Sequence, residues 1–336
     1  MVQAQLEPLP ATPADVLITG ATGFVGLHVA RAFAARGVRI RALVRASSRT
    51  ERLRELGVTT EVAPLEDAEA LRPVVAGADT VVHLAALTHA RTGAELARVN
   101  VGGTRALLEA VLAASPRPRR LVYLSSLAAV GPAQRPVGRN DPPRPLTAYG
   151  RSKLEGERVL LEAAGSLEVV VLRAPAVYGP GDAELLRFFR MARAGVVPVP
   201  SGPARPLQLV HVRDLAAAVV LAAVTPGARG VYHVASPEAQ PWAEVCRALG
   251  RAMGREVRLV KVPAGLIRVA AAASEWAAGV VGRSTMFNRE KARELLAPGW
   301  LCDTEDARRE LGFVAATPLE QGLRETWQWY RNEGWL

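Results

Sequence analysis

Residues 16–26 read VLITGATGFVG, and no other stretch of the chain constrains its fold so tightly. The apolar run Val16-Leu17-Ile18-Thr19 predicts a strand, Gly20, Gly23 and Gly26 predict a tight turn, and Val25, Val29, Ala32 and Phe33 share one face of a following helix. Strand, glycine turn and helix in that order open a dinucleotide-binding α/β unit. The first glycine turns the chain sharply off the strand, and the second lets the backbone approach a pyrophosphate. The third lets the helix pack closely on the sheet, with its free N–H groups turned toward an anion.

At 336 residues the chain can form one large domain or two fused lobes. Its net charge is +10, yet only Lys153, Lys261 and Lys291 among the 42 basic residues are lysines. The arginines are scattered, with no aromatic-interleaved basic stripe, which argues against nucleic-acid binding and suits anionic small ligands. Cys246 and Cys302 fit no metal-ligand spacing, so buried thiols in a reducing compartment and no metal are expected. Residues 1–14 form a polar, proline-containing tail without a signal-peptide core, and no apolar run is long enough to span a bilayer. A cytoplasmic protein is expected.

Strands are predicted at residues 38–44, 61–65, 80–86, 120–126 and 168–172, with helices at 67–75, 94–114 and 148–164 between them. This alternation predicts an α/β fold, a Rossmann-type doubly wound parallel sheet that binds ligands at the carboxyl ends of its strands. The dinucleotide-binding domain is taken as residues 15–180 with a return of 207–235, and residues 181–336 mainly as a smaller C-terminal substrate-binding lobe. In that lobe, residues 196–206 read as a Pro-rich loop. The apolar helix at 264–281 reads as core packing, with membrane contact the lesser alternative.

Arg45 ends the second strand, where an acidic residue would bind a ribose 2′-OH and an arginine a 2′-phosphate. No Asp or Glu is near, so NADP(H) is expected over NAD(H). Ala85 and Ala86 leave room for a cofactor at the end of the fourth strand. Tyr149 and Lys153 lie one helical turn apart on one face. A lysine ammonium beside the phenol, assisted by an oxidised nicotinamide, is expected to lower its pKa, making a proton donor for a carbonyl or a base for an alcohol. Ser126, at a strand end, can hydrogen-bond the same oxygen, and Asn100 can hold a helix distortion with a water leading to Lys153.

With these residues in order, the chain resembles the short-chain dehydrogenase/reductase superfamily in its extended branch of NAD-dependent epimerases and dehydratases. The resemblance covers nearly the whole chain through TGATGFVG, HLAA, VNVGGT, YLSS, YGRSK, LRAPAVYGPGD, VHVRDLA and the closing ELGF…WYRNEGWL. It implies a Ser126–Tyr149–Lys153 triad with Asn100 as fourth member. Its implied cofactor contacts are Gly20, Thr22, Gly23, Phe24, Val25, Gly26, Arg45, Leu65, Ala85, Ala86, Tyr149, Lys153, Pro175 and Val177, and a homodimer is a further family-based expectation.

The departures narrow the chemistry. Ser126 is followed by Leu127-Ala128-Ala129, where sugar 4,6-dehydratases carry an Asp-Glu pair. Leu207-Gln208-Leu209 stands where nucleotide-sugar epimerases place a diphosphate-binding arginine, with Arg205 slightly upstream. Ala63-Pro64 replaces the usual Gly-Asp pair near the adenine, and Arg213 replaces an acidic residue. These features look closer to dihydroflavonol-4-reductase-like and 3β-hydroxysteroid dehydrogenase-like members. The expected activity is interconversion of a ketone and a secondary alcohol on a fairly apolar small molecule. The rivals are a nucleotide-sugar epimerase with tightly held NAD and a non-catalytic NAD(P)-sensing protein.

Overall fold

The structure is a computed structural model describing residues 13–280, 285 and 287–336. Most of the predicted N-terminal tail therefore lies outside the described residues. The central sheet contains β1 (Asp15–Thr19), β2 (Arg39–Val44), β3 (Thr59–Val62), β4 (Thr80–His83), β5 (Arg120–Ser126) and β6 (Glu168–Ala174), joined by a seventh strand at Gly230–His233. All its pairings are parallel, and the order runs from the seventh strand through β6, β5, β4, β1 and β2 to β3. Every residue of β1 and β4 is buried, as expected for strands covered by helices on both faces.

One face packs under helices Phe24–Ala34 and Val212–Val224, around Val29, Phe33, Leu215 and Val219. The other packs under Ala68–Val75, Gly103–Ala113 and Ala148–Leu161, around Leu71, Leu107, Tyr123 and Leu160. The sheet reverses its winding between β1 and β4, so their carboxyl ends open a crevice.

Four expectations change. The fourth strand stops at His83, before Ala85 and Ala86, because Thr19 Oγ1 takes the Ala85 N–H (3.2 Å) and Asn100 takes that of Leu87 (2.8 Å). The predicted helix over residues 94–114 is broken by a wide π-helical turn, Ala97–Gly102, with Asn100 buried inside it. The expected loop at 196–206 contains a strand, Val196–Pro200, parallel to Arg258–Val262. Its two prolines mask it in the sequence, and a strand paired on one side alone tolerates their missing N–H groups.

The fourth concerns the apolar helix, Ala264–Val280. It packs into a core on one face alone: Ile267 and Ala271 are buried, whereas Leu266, Val269 and Trp276 are 60%, 66% and 74% exposed. The rest of this lobe has its own core, in which Phe189, Leu249, Leu323 and Tyr330 meet.

Candidate active site

At the cofactor end, Gly20 has φ +74°, a region that side-chain-bearing residues rarely enter, and a Cβ there would lie 2.7 Å from Ala85 N. A Cβ on Gly26 would lie 2.1 Å from Gly20 O, so helix and turn are in contact only because position 26 is glycine. A Cβ on Gly23 would meet Gly20 O alone, at 3.3 Å. Gly23 opens the helix without a side-chain cap and without an acidic residue in the first turn. The turn fits a dinucleotide diphosphate, because its backbone donors are uncapped and its centre is open.

The remaining expected contacts border this turn or the adjacent strand ends. Thr22 is exposed and Val25 half-buried, while Phe24 meets the His28 ring edge-on at 5.9 Å. Arg45 is exposed just past β2 in a turn closed by Ser48, and its guanidinium forms no ion pair among the described residues. Leu65 packs onto Gly103, where a Cβ would approach its Cδ2 to 2.8 Å. Pro175 and Val177 follow β6, whose continuation Ala176–Tyr178 pairs with Leu209–His211.

At the reaction end, β5 delivers Ser126 and the helix Ala148–Leu161 delivers Tyr149 and Lys153. Thr147 caps that helix by accepting from Gly150 N (3.1 Å). Gly150 brings the two elements together: a Cβ there would lie 2.2 Å from Ala128 O, one short turn past Ser126. Ser126 Oγ accepts from Ala128 N (3.1 Å), and its hydrogen bond to Tyr149 favours the phenolate. Asn100 donates to Leu87 O (2.9 Å) and to Ser152 Oγ (2.9 Å), and Ser152 donates to Tyr149 O (2.8 Å). Its amide thus reaches the residue next to Lys153, not Lys153 itself.

The electrostatics correct the expected phenol. Burial pushes Tyr149 up to about 12, the Ser126 hydrogen bond opposes this, and the charges of Glu294 and Glu184 add to the rise. Burial also lowers Lys153 to about 7, against the pull of Glu157. Lys153 Nζ sits 4.0 Å from the centre of the Tyr123 ring. Desolvation outweighs the help of Ser126, and Lys153 is not among the groups that lower the phenol, so Tyr149 is held as a protonated phenol.

Several site residues escaped the sequence reading. Glu157, one turn beyond Lys153, accepts from Arg173 Nη2 (2.7 Å) and from Ser125 Oγ. Its spacing from Tyr149 and Lys153 was a usable signal. His83 links the two ends of the site. Thr104 Oγ1 donates to Asn100 O (2.6 Å), so His83 Nε2–H donates to Thr104 (2.9 Å) and the bare Nδ1 accepts from Thr19 (2.7 Å). Burial, then the Lys153 charge, depresses His83 to about 3, which keeps this neutral tautomer. On the substrate side, His89 meets Glu184 at 3.1 Å, and Lys291 meets Glu294 at 3.1 Å. These residues come from separate segments, so no local pattern announces them.

The sequence profile of the NAD dependent epimerase/dehydratase family matches residues 16–235. A Caulobacter vibrioides protein named ceramide reductase is 35% identical over 96% of each chain. A Stigmatella aurantiaca protein named 4-hydroxy-2-methyl-3-oxo-4-farnesyl-3,4-dihydroquinoline-1-oxide ketoreductase is 30% identical over 91% of this chain and 93% of its own. The solved structure of MoeE5 in complex with UDP-glucose and NAD is similar with a TM-score of 0.74 at 26% identity, covering 95% of this chain and 99% of that one. The chain belongs to the NAD-dependent epimerase/dehydratase family of extended short-chain dehydrogenases/reductases, and is an NAD(P)-dependent oxidoreductase of that type.

Proposed function

We propose that this protein is an NADPH-dependent reductase that converts a ketone on a largely apolar small molecule into a secondary alcohol. The observation that carries the reading is the half-buried Tyr149 phenol, held protonated beside Ser126. A group kept protonated suits the donor that a carbonyl oxygen needs during reduction. The bound reduced nicotinamide supplies the hydride. Ser126 holds the carbonyl oxygen, Tyr149 protonates it, and Lys153 in its ammonium form binds the nicotinamide ribose. Asn100 positions Ser152 and the turn that carries Lys153.

Three further points support the substrate and cofactor. Leu127, Ala128 and Ala129 follow Ser126 where a sugar dehydratase would need carboxylates. Two relatives bear reductase names that refer to a ceramide and to a farnesyl-bearing quinoline. Arg45 forms no ion pair among the described residues and stands just past the end of β2, where a 2′-phosphate would lie. The site draws its residues from one chain, so a homodimer is a separate question that sedimentation answers.

The test is turnover of NADPH and NADH by the purified protein with long-chain ketones, short soluble ketones and UDP-sugars. Consumption of NADPH with a long-chain ketone, giving the secondary alcohol, is expected. Interconversion of a UDP-sugar without net cofactor consumption would assign an epimerase instead, and preference for NADH would overturn the role given to Arg45.

A further inference from the structure

The helix Ala264–Val280 is apolar on two sides, and neighbours cover one of them. Ile267 and Ala271 pack with Ala292, Val262, Phe287, Leu295 and Leu296. Leu266, Val269, Ala270, Ala273, Trp276 and Ala277 recur at the spacing of a different face, and all six are exposed. Single exposed apolar residues are ordinary; an apolar stripe ending in a tryptophan that is 74% exposed is not.

Three exposed cations lie on this helix and the strand leading into it, with Glu256 the exposed acid just before that strand. Arg258 and Lys261 are exposed in the strand that leads into the helix, and Arg268 is exposed on the helix itself. None of the three forms an ion pair among the described residues, whereas surface arginines such as Arg52, Arg98, Arg213 and Arg251 do. The one acid on the helix, Glu275, is paired with Arg289 and accepts its backbone N–H at 3.1 Å.

We propose that this face docks on an anionic lipid surface, with Leu266, Val269 and Trp276 entering the interface and Arg258, Lys261 and Arg268 meeting the headgroups. An amphipathic helix with an aromatic residue on its apolar side and cations near it binds in the plane of a charged bilayer. No helix among the described residues is long and apolar enough to cross a membrane, so this one lies on the surface. Its covered side rests on the helix Arg289–Leu296, whose Glu290 accepts from Ala148 N (2.8 Å) and whose Glu294 charge reaches Tyr149. Docking therefore brings the substrate side of the candidate site close to the lipid layer. The proposal rests on surface composition and stands whether or not the substrate is apolar.

The test is co-sedimentation of the full-length protein with vesicles of phosphatidylcholine alone and of equal parts phosphatidylcholine and phosphatidylglycerol. Binding to the anionic vesicles should exceed binding to the neutral ones by about tenfold and weaken in high salt. The Leu266→Asp/Trp276→Asp double variant should bind about tenfold more weakly, and the Arg258→Gln/Lys261→Gln/Arg268→Gln variant should lose the preference for anionic lipid. Because these side chains are exposed, thermal melting should be unchanged. Turnover of a short soluble ketone without vesicles should also be unchanged, which separates failure here from failure of the reductase reading. No vesicle binding, or equal binding by wild type and the double variant, would overturn the proposal. So would a wild-type dimer in sedimentation velocity that the double variant converts to monomer, since the stripe would then be a subunit contact.

Discussion

Glu157 stands one turn beyond Lys153 on the same helix, and its carboxylate pulls the lysine pKa upward against the burial that lowers it to about 7. The same carboxylate is clamped by Arg173 and Ser125 in a region where Glu157 is 1% and Arg173 5% exposed. A Glu157→Gln variant would leave Arg173 buried without its counter-charge, a loss of about 3 kcal/mol that the urea midpoint should show. Folded Lys153 takes up its proton only below about 7, whereas the unfolded side chain does so below 10.5. Between these values the unfolded state holds more protons, so this group's contribution to stability rises with pH across that window, and its penalty is in full force below it. In Glu157→Gln the lower edge of the window moves to more acid pH. If ribose binding needs the ammonium, the fall in kcat/KM as pH rises through about 7 should shift the same way.

Tyr149→Phe removes the proposed proton donor while keeping the ring. Ketone reduction should fall by about a hundredfold to ten-thousandfold, with NADPH binding retained in a fluorescence titration. Ser126→Ala should have a smaller effect, about tenfold to a hundredfold, because it deletes one hydrogen bond to a charge-developing oxygen. Since burial places Tyr149 at about 12, its ionisation should add no alkaline limb to the wild-type profile below that pH.

The locally encoded parts of this design were legible. Gly20, Gly23 and Gly26, the strand ending on Ser126, and the one-turn spacing of Tyr149 and Lys153 each depend on neighbours within a few residues. Depth of burial is not encoded that way. Lys153 was expected to lower Tyr149, but the desolvation that raises the phenol comes from elements spread along the chain. Glu184 and Glu294 reach the site from distant helices, and His83 gains its role by meeting Thr19 on one side and Thr104 on the other. The helix Ala264–Val280 shows the same limit, because an apolar composition does not say what covers a helix.

Arg45→Asp tests the cofactor preference directly. A guanidinium on a phosphate is a charge-assisted contact worth about 1.5–3 kcal/mol, so NADPH affinity should fall by about tenfold to a hundredfold. The new carboxylate can accept from a ribose 2′-OH, so NADH affinity should hold or improve. Titrating both cofactors into wild type and variant reads the switch, and Arg45 is exposed, so the melting temperature should not move.

Gly150 lies inside the helix that carries Tyr149, where alanine is ordinarily the better residue by about 1 kcal/mol. Here the added Cβ would lie 2.2 Å from Ala128 O and 2.9 Å from its carbonyl carbon. Both are backbone atoms in the turn that follows Ser126, so no flexible side chain can yield. Overpacking of this kind costs about 1–3 kcal/mol, enough to outweigh the helix propensity. Gly150→Ala should therefore lower the melting temperature and push the helix off the serine turn. An error of about 1 Å between Tyr149 and Ser126 should reduce turnover by about a hundredfold. Gly265→Ala is the matched control, since it also sits in a helix but a Cβ there meets nothing within 4 Å. It should leave turnover intact and hold or raise the melting temperature, so that opposite signs from one chemical change locate the effect in the contact between Gly150 and Ala128.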